Sequence, residues 1–241
     1  MLYALISDIH SNLEALEAVL SDAQGQAVQN YLCLGDIVGY GAQPHACLER
    51  LRNLKTIIVA GNHDYAACGK TDTDYFNTYA RRAVQWTAKQ LSEEDLSFLA
   101  QLPLVYRTDK FCMVHGSLDH PENWEYVLTE EDAFRSFLLL RENVLFVGHS
   151  HVPFIFSYQN KEVQGFEPKD VTLDSSIKYI VNVGSVGQPR DLDNRASYCI
   201  FDSESMSIRF RRVSYDFRQT QKKILDAELP EILAQRLELG R

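Results

Sequence analysis

The sequence predicts an α/β fold whose first half forms a parallel sheet. Apolar runs at Leu2 to Ile6, Tyr31 to Leu34 and Thr56 to Ala60 have the length of buried strands, and helical patterns separate them. This β-α-β-α-β order is typical of parallel strands joined by right-handed crossovers. After residue 151 short strand patterns dominate, so the second half is rich in β-structure. No linker, repeat or low-complexity run divides the chain, which predicts a single domain over residues 1–241.

Helix signals fill the gaps between the first strands and continue beyond them. Ser11 and Glu14 have capping-box spacing for a first helix that extends to about Ala23. A second helix is predicted to begin near Pro44, because proline is tolerated in a first helical turn. Two more are predicted at 75–90 and 92–99, and the last of these stops before a proline.

The second half alternates short strands with one helix and ends in a helical tail. Two short strands flank Asp109-Lys110, a hairpin-like turn, and the second of them ends at His115. Thr129 is predicted to cap a helix through Leu140. A helical tail is predicted from about residue 216. Five further strands are predicted at Val144 to Val147, Phe154 to Tyr158, Lys178 to Val183, Ser197 to Phe201 and Ile208 to Val213.

Composition excludes several classes of protein. With 241 residues and 45% hydrophobic residues the chain can form a large core. No apolar stretch approaches the roughly 18 residues of a membrane span, and the N-terminus lacks the features of a signal peptide, so a cytoplasmic location is expected. The five cysteines are scattered without a Cys-x-x-Cys pair, which argues against a disulfide framework. A net charge of −9 disfavours generic binding to a nucleic-acid backbone.

Polar motifs follow several of the apolar runs. Asp8, Asp36 and Asn62 each come directly after a predicted strand and are 28 and 26 residues apart, about one βαβ unit each time. The crossovers would bring all three to one sheet edge, where α/β proteins place their sites. Each fragment alone has an ordinary explanation as a helix cap, a turn or a core histidine. Together they are typical of a two-metal site that cleaves phosphoesters. Five of the seven histidines lie in four short motifs, which are Asp8-Ile9-His10, Gly61-Asn62-His63-Asp64, His115-Gly116 and Gly148-His149-Ser150-His151.

The ordered series Asp-x-His, Gly-Asp, Gly-Asn-His-Asp, His-Gly and Gly-His-x-His resembles the calcineurin-like metallophosphoesterases, and among them the small bacterial and archaeal phosphodiesterase-like branch. The resemblance spans roughly residues 1–200 and includes the glycine-rich segment from Gly184 to Arg190. It implies two β-sheets packed face to face with helices outside, a four-layer arrangement. One departure is Ser11, which stands where this family commonly has glycine.

The same resemblance implies a ligand set. One metal ion would be held by Asp8, His10 and His151, the other by Asn62, His115 and His149, with Asp36 bridging them. Oxygen and imidazole ligands suit a divalent transition metal, with manganese preferred and iron, zinc, cobalt or nickel as alternatives. Such a pair can activate a bridging water as hydroxide and keeps a net charge of about +1, which attracts an anionic phosphodiester.

His63 is not in this ligand set, so it needs another role. The resemblance makes it the proton donor to the leaving-group oxygen, with Asp64 holding its imidazole in orientation. The alternative is a loop histidine paired locally with Asp64. Both residues are therefore catalytic candidates.

The expected reaction is hydrolysis of a phosphodiester. Protein phosphatases of the family carry an arginine shortly after Gly-Asp to clamp a phosphomonoester, whereas this chain has none from Ile37 to Gly41. Arg190 could substitute in part, although a surface arginine is the simpler explanation. Trp124 is the better candidate for stacking on a substrate base, since the helical spacing of Phe76, Tyr79 and Trp86 favours a core position.

Three other functions stay open at this point: a dinucleoside polyphosphate hydrolase, a phosphomonoesterase, and a protein-binding scaffold. The scaffold resembles the retromer subunit of this fold, in which the catalytic histidine is absent, so His63 and a full ligand set favour an enzyme. The expected partner is a small phosphodiester or nucleotide. The sequence leaves the physiological substrate, the metal and the oligomeric state open.

Overall fold

Two six-stranded sheets pack face to face with helices on their outer surfaces, as the resemblance implied. A computed structural model describes all residues, 1–241. The strand order is β3-β2-β1-β11-β12-β9 in the first sheet and β4-β5-β6-β10-β7-β8 in the second. The strands are β1 (Leu2–Ile6), β2 (Asn30–Cys33), β3 (Ile57–Ile58), β4 (Val105–Arg107), β5 (Phe111–Val114), β6 (Val144–Val147), β7 (Phe154–Gln159), β8 (Glu162–Phe166), β9 (Val171–Thr172), β10 (Lys178–Asn182), β11 (Ala196–Asp202) and β12 (Ser207–Val213).

Parallel pairing places several strand ends at one edge of the molecule. In the first sheet β1 pairs with β2 and β2 with β3 in parallel, with Ala4 opposite Tyr31. In the second sheet β5, β6 and β10 are likewise parallel neighbours. The predicted parallel first half is therefore confirmed, and the carboxyl ends of its strands meet at a common edge. The remaining strands join these sheets in antiparallel orientation.

Eight helices cover the sheets, and one of them was not predicted. Two predicted helix starts were wrong: Asn12, not Ser11, caps α1, and α4 begins after Asn77 rather than at Tyr75. The caps at Ser92 and Thr129 are as predicted. The unpredicted helix is the short α3. The helices are α1 (Leu13–Gly25), α2 (Pro44–Asn53), α3 (Asn62–Ala67), α4 (Thr78–Gln90), α5 (Glu93–Gln101), α6 (Glu130–Leu139), α7 (Phe217–Asp226) and α8 (Glu231–Leu239).

The largest side chains between the sheets form the central core. Leu5 and Phe201 from the first sheet pack with Phe111 and Phe146 from the second, and the Phe111 and Phe201 rings meet edge to face at 5.8 Å. Burying side chains of this size stabilises the fold by roughly 1.5–3 kcal/mol each. The two sheets are thus held as one rigid support for the loops at their common edge. No helix combines the length and the apolar character needed to cross a membrane.

Candidate metal centre

The candidate ligands lie just beyond the carboxyl ends of five strands, in loops or, for Asn62, at the first residue of α3. Asp8 and His10 follow β1, Asp36 follows β2, and Asn62 follows β3. In the second sheet, β5 and β6 lead into the loops that carry the remaining histidines. All seven predicted ligands are buried, so no ordinary solvent exposure accounts for their polar side chains: Asp8, His10, Asp36, Asn62, His115, His149 and His151.

The backbone at these loops is strained. Asp8, His10, Asp36, His149 and His151 have φ between 50° and 65°, the left-handed region that disfavours side chains other than glycine. Each such residue costs about 1 to 2 kcal/mol. Backbone strain of this kind persists at functional sites where the surrounding structure enforces it. Ser11 has a φ of 56°, which explains physically why glycine suits its position.

The side chains form three overlapping groups. Ligand atoms of Asp8, His10 and His151 lie within 4.8 Å of one another, and so do those of Asp36, His115 and His149. The third group is His10, Asp36 and His63, so His63 also lies within ligand distance although it was predicted to be outside the ligand set. Asp36 Oδ2 lies 3.3 Å from His115 Nε2 and 3.6 Å from His10 Nε2. The carboxylate of Asp36 therefore lies between His10 and His115.

Hydrogen bonds fix which ring nitrogen each of three histidines presents. Nδ1 of His10, His115 and His151 lies 3.1, 2.7 and 2.6 Å from the carbonyl oxygens of residues 38, 34 and 188. Because a carbonyl only accepts, each Nδ1 carries a proton, and in the neutral ring Nε2 has a free lone pair. The Nε2 atoms of His10 and His151 are only 3.1 Å apart. Two facing lone pairs at this distance repel unless a cation lies beside them.

Three further ligand atoms have no hydrogen-bond partner. Asp8 Oδ1, Asn62 Oδ1 and His115 Nε2 are buried and unpaired. Buried polar atoms are nearly always satisfied in native proteins, so three orphans facing one space indicate a missing counterpart. Oxygen and imidazole donors together suit a divalent transition metal. The residues present thus fit the metal ions that the resemblance implied.

The charges at the site also favour a bound cation. Burial lowers the pKa of His115, but Asp36 and Asp8 outweigh this effect and raise it to about 9. Burial opposes ionisation of Asp36, yet His115 and His63 hold the pKa of its carboxyl well below the usual range. The two carboxylates therefore attract positive charge into the protein interior. A divalent cation supplies that charge in place of a proton.

His63 lies beside the ligands in an aromatic box. Its ring centroid is 4.5 Å from that of Tyr40, 4.8 Å from that of Phe76 and 4.9 Å from that of His10. Its backbone N–H donates to Asp36 Oδ1 at 2.9 Å. Its Nδ1 is buried without a partner and lies against Gly39. Packing rather than hydrogen bonding thus orients this imidazole.

The interpretation that Asp64 orients His63 is wrong. Asp64 Oδ1 accepts the backbone N–H groups of Ile37 and Val38 at 2.9 and 3.2 Å, and Oδ2 accepts that of Gly61 at 3.0 Å. Asp64 therefore fixes the loop after β2 to the start of α3. Burial, and then the charge of Asp36, raise the pKa of the Asp64 carboxyl to about 7.

A cleft of about 220 Å³ opens over the ligands. Trp124 lines it and donates from Nε1 to Thr71 at 3.3 Å, which joins the loops on either side. Tyr126 stacks on the His149 ring at 4.0 Å. Phe76 also lines the cleft, but it packs against the apolar cluster around Tyr40 and Ala80 as well, so the prediction that it is a core residue holds in part. The other lining residues are Asp36, Tyr40, Asn62, His63, Thr71, Asp72, Tyr75, Asn77, Ala80, Asn123, His149, His151 and Arg190.

Of the other two aromatic residues predicted to lie in the core, one does and one does not. Tyr79 is 53% exposed and lies outside both core and cleft, whereas Trp86 packs against the helices as expected. Arg190 lies in the cleft with its Cζ 5.8 Å from the Tyr40 ring centroid. Tyr40 was not predicted as a site residue, although its position between Gly39 and Gly41, four residues after Asp36, is a local signal for close packing at the site.

The glycine-rich segment after β10 supports the ligand loops. Gly187 N–H and Ser185 Oγ both donate to the carbonyl of Asp8, at 2.9 and 2.8 Å. The carbonyl of Gln188 accepts from His151 Nδ1 at 2.6 Å. A Cβ on Gly187 would lie 1.8 Å from the Ile9 carbonyl oxygen, so only glycine allows this approach. The segment thus holds one of the two ligand groups in place.

Comparison with known proteins agrees with this geometry. Residues 1–206 match the calcineurin-like phosphoesterase superfamily domain. The chain is 46% identical to the protein MJ0912 of Methanocaldococcus jannaschii over 99% of its length and 98% of that protein. The crystal structure of a metallophosphoesterase from Sphaerobacter thermophilus is 42% identical, with a TM-score of 0.89 over 100% of this chain and 99% of that one. Phosphodiesterase YfcE of Escherichia coli K12 is 26% identical, covering 84% of this chain and 88% of its own. The chain therefore belongs to the calcineurin-like phosphoesterase superfamily and is a metal-binding hydrolase of phosphoric esters.

Proposed function

We propose that the chain is a phosphodiesterase that works with two divalent transition-metal ions, manganese being preferred. The observation that carries this proposal is the pair of ligand groups on either side of Asp36, whose Oδ2 lies 3.6 Å from His10 Nε2 in one group and 3.3 Å from His115 Nε2 in the other. Asp36 would contact both ions. The first ion would be held by Asp8, His10 and His151, and the second by Asn62, His115 and His149.

When bound, such a pair of ions supplies an activated water and neutralises charge on the phosphate. The chain's own contribution begins with His63, whose ring lies beside Asp36 and His10 at the base of the cleft. Burial lowers the pKa of His63 to about 4; the charge of Asp36 opposes this effect, whereas His151 and Arg190 add to it. An anionic substrate in the cleft would favour the protonated ring. His63 would then donate a proton to the leaving-group oxygen.

Two observations favour a diester over a monoester. The loop after Asp36 offers Tyr40 and two glycines where protein phosphatases of this superfamily carry a phosphate-clamping arginine. Two divalent ions, two aspartates and one hydroxide leave a net charge of about +1, which matches a monoanionic diester. The relative YfcE, whose name is phosphodiesterase, gives the same expectation.

A dinucleoside polyphosphate hydrolase is the second candidate. One part of the cleft wall is aromatic, with Tyr75, Phe76, Trp124 and Tyr126, and Tyr75 is 97% exposed. An aromatic side chain left in solvent at the mouth of a site is available to stack on a nucleobase. A nucleoside is therefore the leaving group that this wall favours.

The test compares model substrates with protein reconstituted with manganese. We expect two metal ions per chain by elemental analysis, loss of turnover on chelation, and a higher kcat/KM for bis-p-nitrophenyl phosphate than for p-nitrophenyl phosphate. Asp109→Asn, in the exposed β4–β5 turn, is the control for loss of one carboxylate. A tenfold preference for the monoester, or about 1.4 kcal/mol in transition-state stabilisation, would refute the diesterase assignment. Much faster cleavage of a dinucleoside polyphosphate would favour the second candidate.

A further inference from the structure

The hairpin formed by α7 and α8 packs directly beside the site. It lies beyond residue 206, where the match to the superfamily domain ends. Thr220 Oγ1 donates to Asn12 Oδ1 at 3.0 Å, so the hairpin is joined to the cap of α1 next to the first ligand loop. Tyr40, which contacts His10 and His63, belongs to the apolar cluster that holds the hairpin in place. That cluster also contains Ala80, Ala83, Ile224, Leu229, Leu233, Ala234 and Leu237.

Two arginines from distant parts of the chain share the ring of Tyr40. Arg190 follows the glycine-rich segment, and its Cζ lies 5.8 Å from the ring centroid. Arg236 comes from α8, and its Cζ lies 6.0 Å from the same centroid. The two guanidinium groups are therefore no more than about 12 Å apart, the sum of these distances. The hairpin thus adds a second cation beside the cleft.

Neither cation is paired with a carboxylate side chain, and Arg236 Nε donates to the backbone oxygen of Arg241 at 2.6 Å. Arg211 and Arg212 of β12 form ion pairs with aspartates, whereas Arg190 and Arg236 form none. Arg190 donates from Nη2 to the neutral Gln188 side chain at 3.0 Å, and its Nε is buried without a partner. Burial, and then the charge of Arg190, lower the pKa of Arg236. Half-buried like charges in a chain of net charge −9 indicate a site that an external anion completes.

We propose that Arg190 and Arg236 bind a second phosphoryl group of the substrate, next to the one that is hydrolysed. The inference rests on the proposed function, because it takes the reacting phosphate to lie at the shared Asp36. Arg190 lines the same cleft as Asp36 and His151, so a group next to the reacting phosphate reaches it. Guanidinium groups bind phosphate oxygens through two parallel hydrogen bonds. The substrate class is then a phosphoric ester with a chain of neighbouring phosphates.

The first measurement is binding rather than turnover. Inorganic tripolyphosphate and inorganic phosphate are titrated by calorimetry into the manganese-loaded wild type, Arg236→Gln and Arg218→Gln. Arg218 is the matched control because it lies on α7 of the same hairpin, is exposed, and has its Cζ 5.9 Å from the ring centroid of Phe217. We expect Arg236→Gln to weaken tripolyphosphate binding about tenfold or more, and phosphate binding clearly less. Arg236→Lys should restore part of the loss, since it keeps the charge. Metal content and thermal unfolding establish that the variants are loaded and folded.

The second measurement is turnover of two matched esters. Diadenosine tetraphosphate and diadenosine diphosphate have the same ends and differ only in the number of phosphates. Arg236→Gln should reduce kcat/KM for the tetraphosphate about tenfold more than for the diphosphate, mainly through KM, and Arg218→Gln should change neither ratio. Equal losses on the two esters, equal weakening of phosphate and tripolyphosphate binding, or equal effects of the two variants would overturn the anion site. Selective loss of tripolyphosphate binding in a protein that cleaves no ester would support the anion site and reject the proposed function.

Discussion

Gly39→Ala tests whether packing places the His63 imidazole. An added Cβ would lie 2.4 Å from His63 Nδ1, and ordinary van der Waals contact begins at 3.4 Å. The ring must therefore move by about 1 Å, because Gly39 is held in place by the loop after β2. A 1 Å displacement of a reacting group costs about 10²-fold in rate, or about 2.7 kcal/mol. The three heavy atoms nearest to this Cβ all belong to His63, so we expect metal binding to be retained.

The assay measures kcat/KM for two diesters, one with a nitrophenolate and one with an alkoxide leaving group, together with metal content. Loss should be larger for the alkoxide, which needs its proton in the transition state. Gly69→Ala is the control for backbone strain, since Gly69 has a φ of 75° but nothing within 4 Å of an added Cβ. In a His63→Ala background, Gly39→Ala should cause no further loss. Wild-type turnover in Gly39→Ala, or an equal loss in Gly69→Ala, would refute the argument.

Three further outcomes are expected. Asp36→Asn should remove metal from both ligand groups at once and abolish turnover, whereas loss of only one ion by elemental analysis would contradict a shared ligand. Trp124→Ala should raise KM far more for a dinucleoside polyphosphate than for a nitrophenyl ester, because only the nucleotide has a base to stack; equal changes in KM would exclude stacking. Arg211 and Tyr198 hold the pKa of the Asp22 carboxyl below its usual value. The stability this gives is present above the unfolded pKa near 4 and lost as pH falls through the lower folded pKa. Asp22→Asn should therefore be destabilised at about pH 7 and approach wild type near about pH 2 in chemical unfolding, and a constant difference would be evidence against the linkage.

The ligand motifs could be predicted from the sequence because their placement follows local rules. Asp8, Asp36 and Asn62 follow successive parallel strands, and right-handed crossovers bring the ends of such strands to the same edge of the sheet. The same rule gives the order of β1, β2 and β3. The hydrogen-bond partners of the site histidines, in contrast, lie far away in the sequence. The Leu34 carbonyl, which accepts from His115 Nδ1, is 81 positions from that histidine. No local pattern records such contacts.

The error at Asp64 has a geometric cause. His63 and Asp64 are consecutive in α3, and consecutive side chains on a helix diverge by about 100°. The neighbouring positions suggested a contact only because α3 was not predicted. The position of Phe76 has a related cause: helical spacing applies from Thr78 onward, and Asn77 caps that helix through the N–H of Ala80. Because the helix begins three residues later than predicted, Phe76 precedes it and contacts both the apolar cluster and the cleft.

Strain, charge and packing at this site act together. Five candidate ligands have left-handed backbone conformations, and three inward lone pairs lack partners, so the ligand loops are individually unfavourable. They persist because the support around them is rigid: Asp64 fixes the loop after β2, Ser185 and Gly187 fix the loop after β1, and the hairpin covers Tyr40. Strain that is enforced by packing costs stability but leaves the ligand atoms in position before any ion or substrate arrives. The stability of the β-sandwich core offsets this cost, so the loops at the edge of the sheets form a preorganised site.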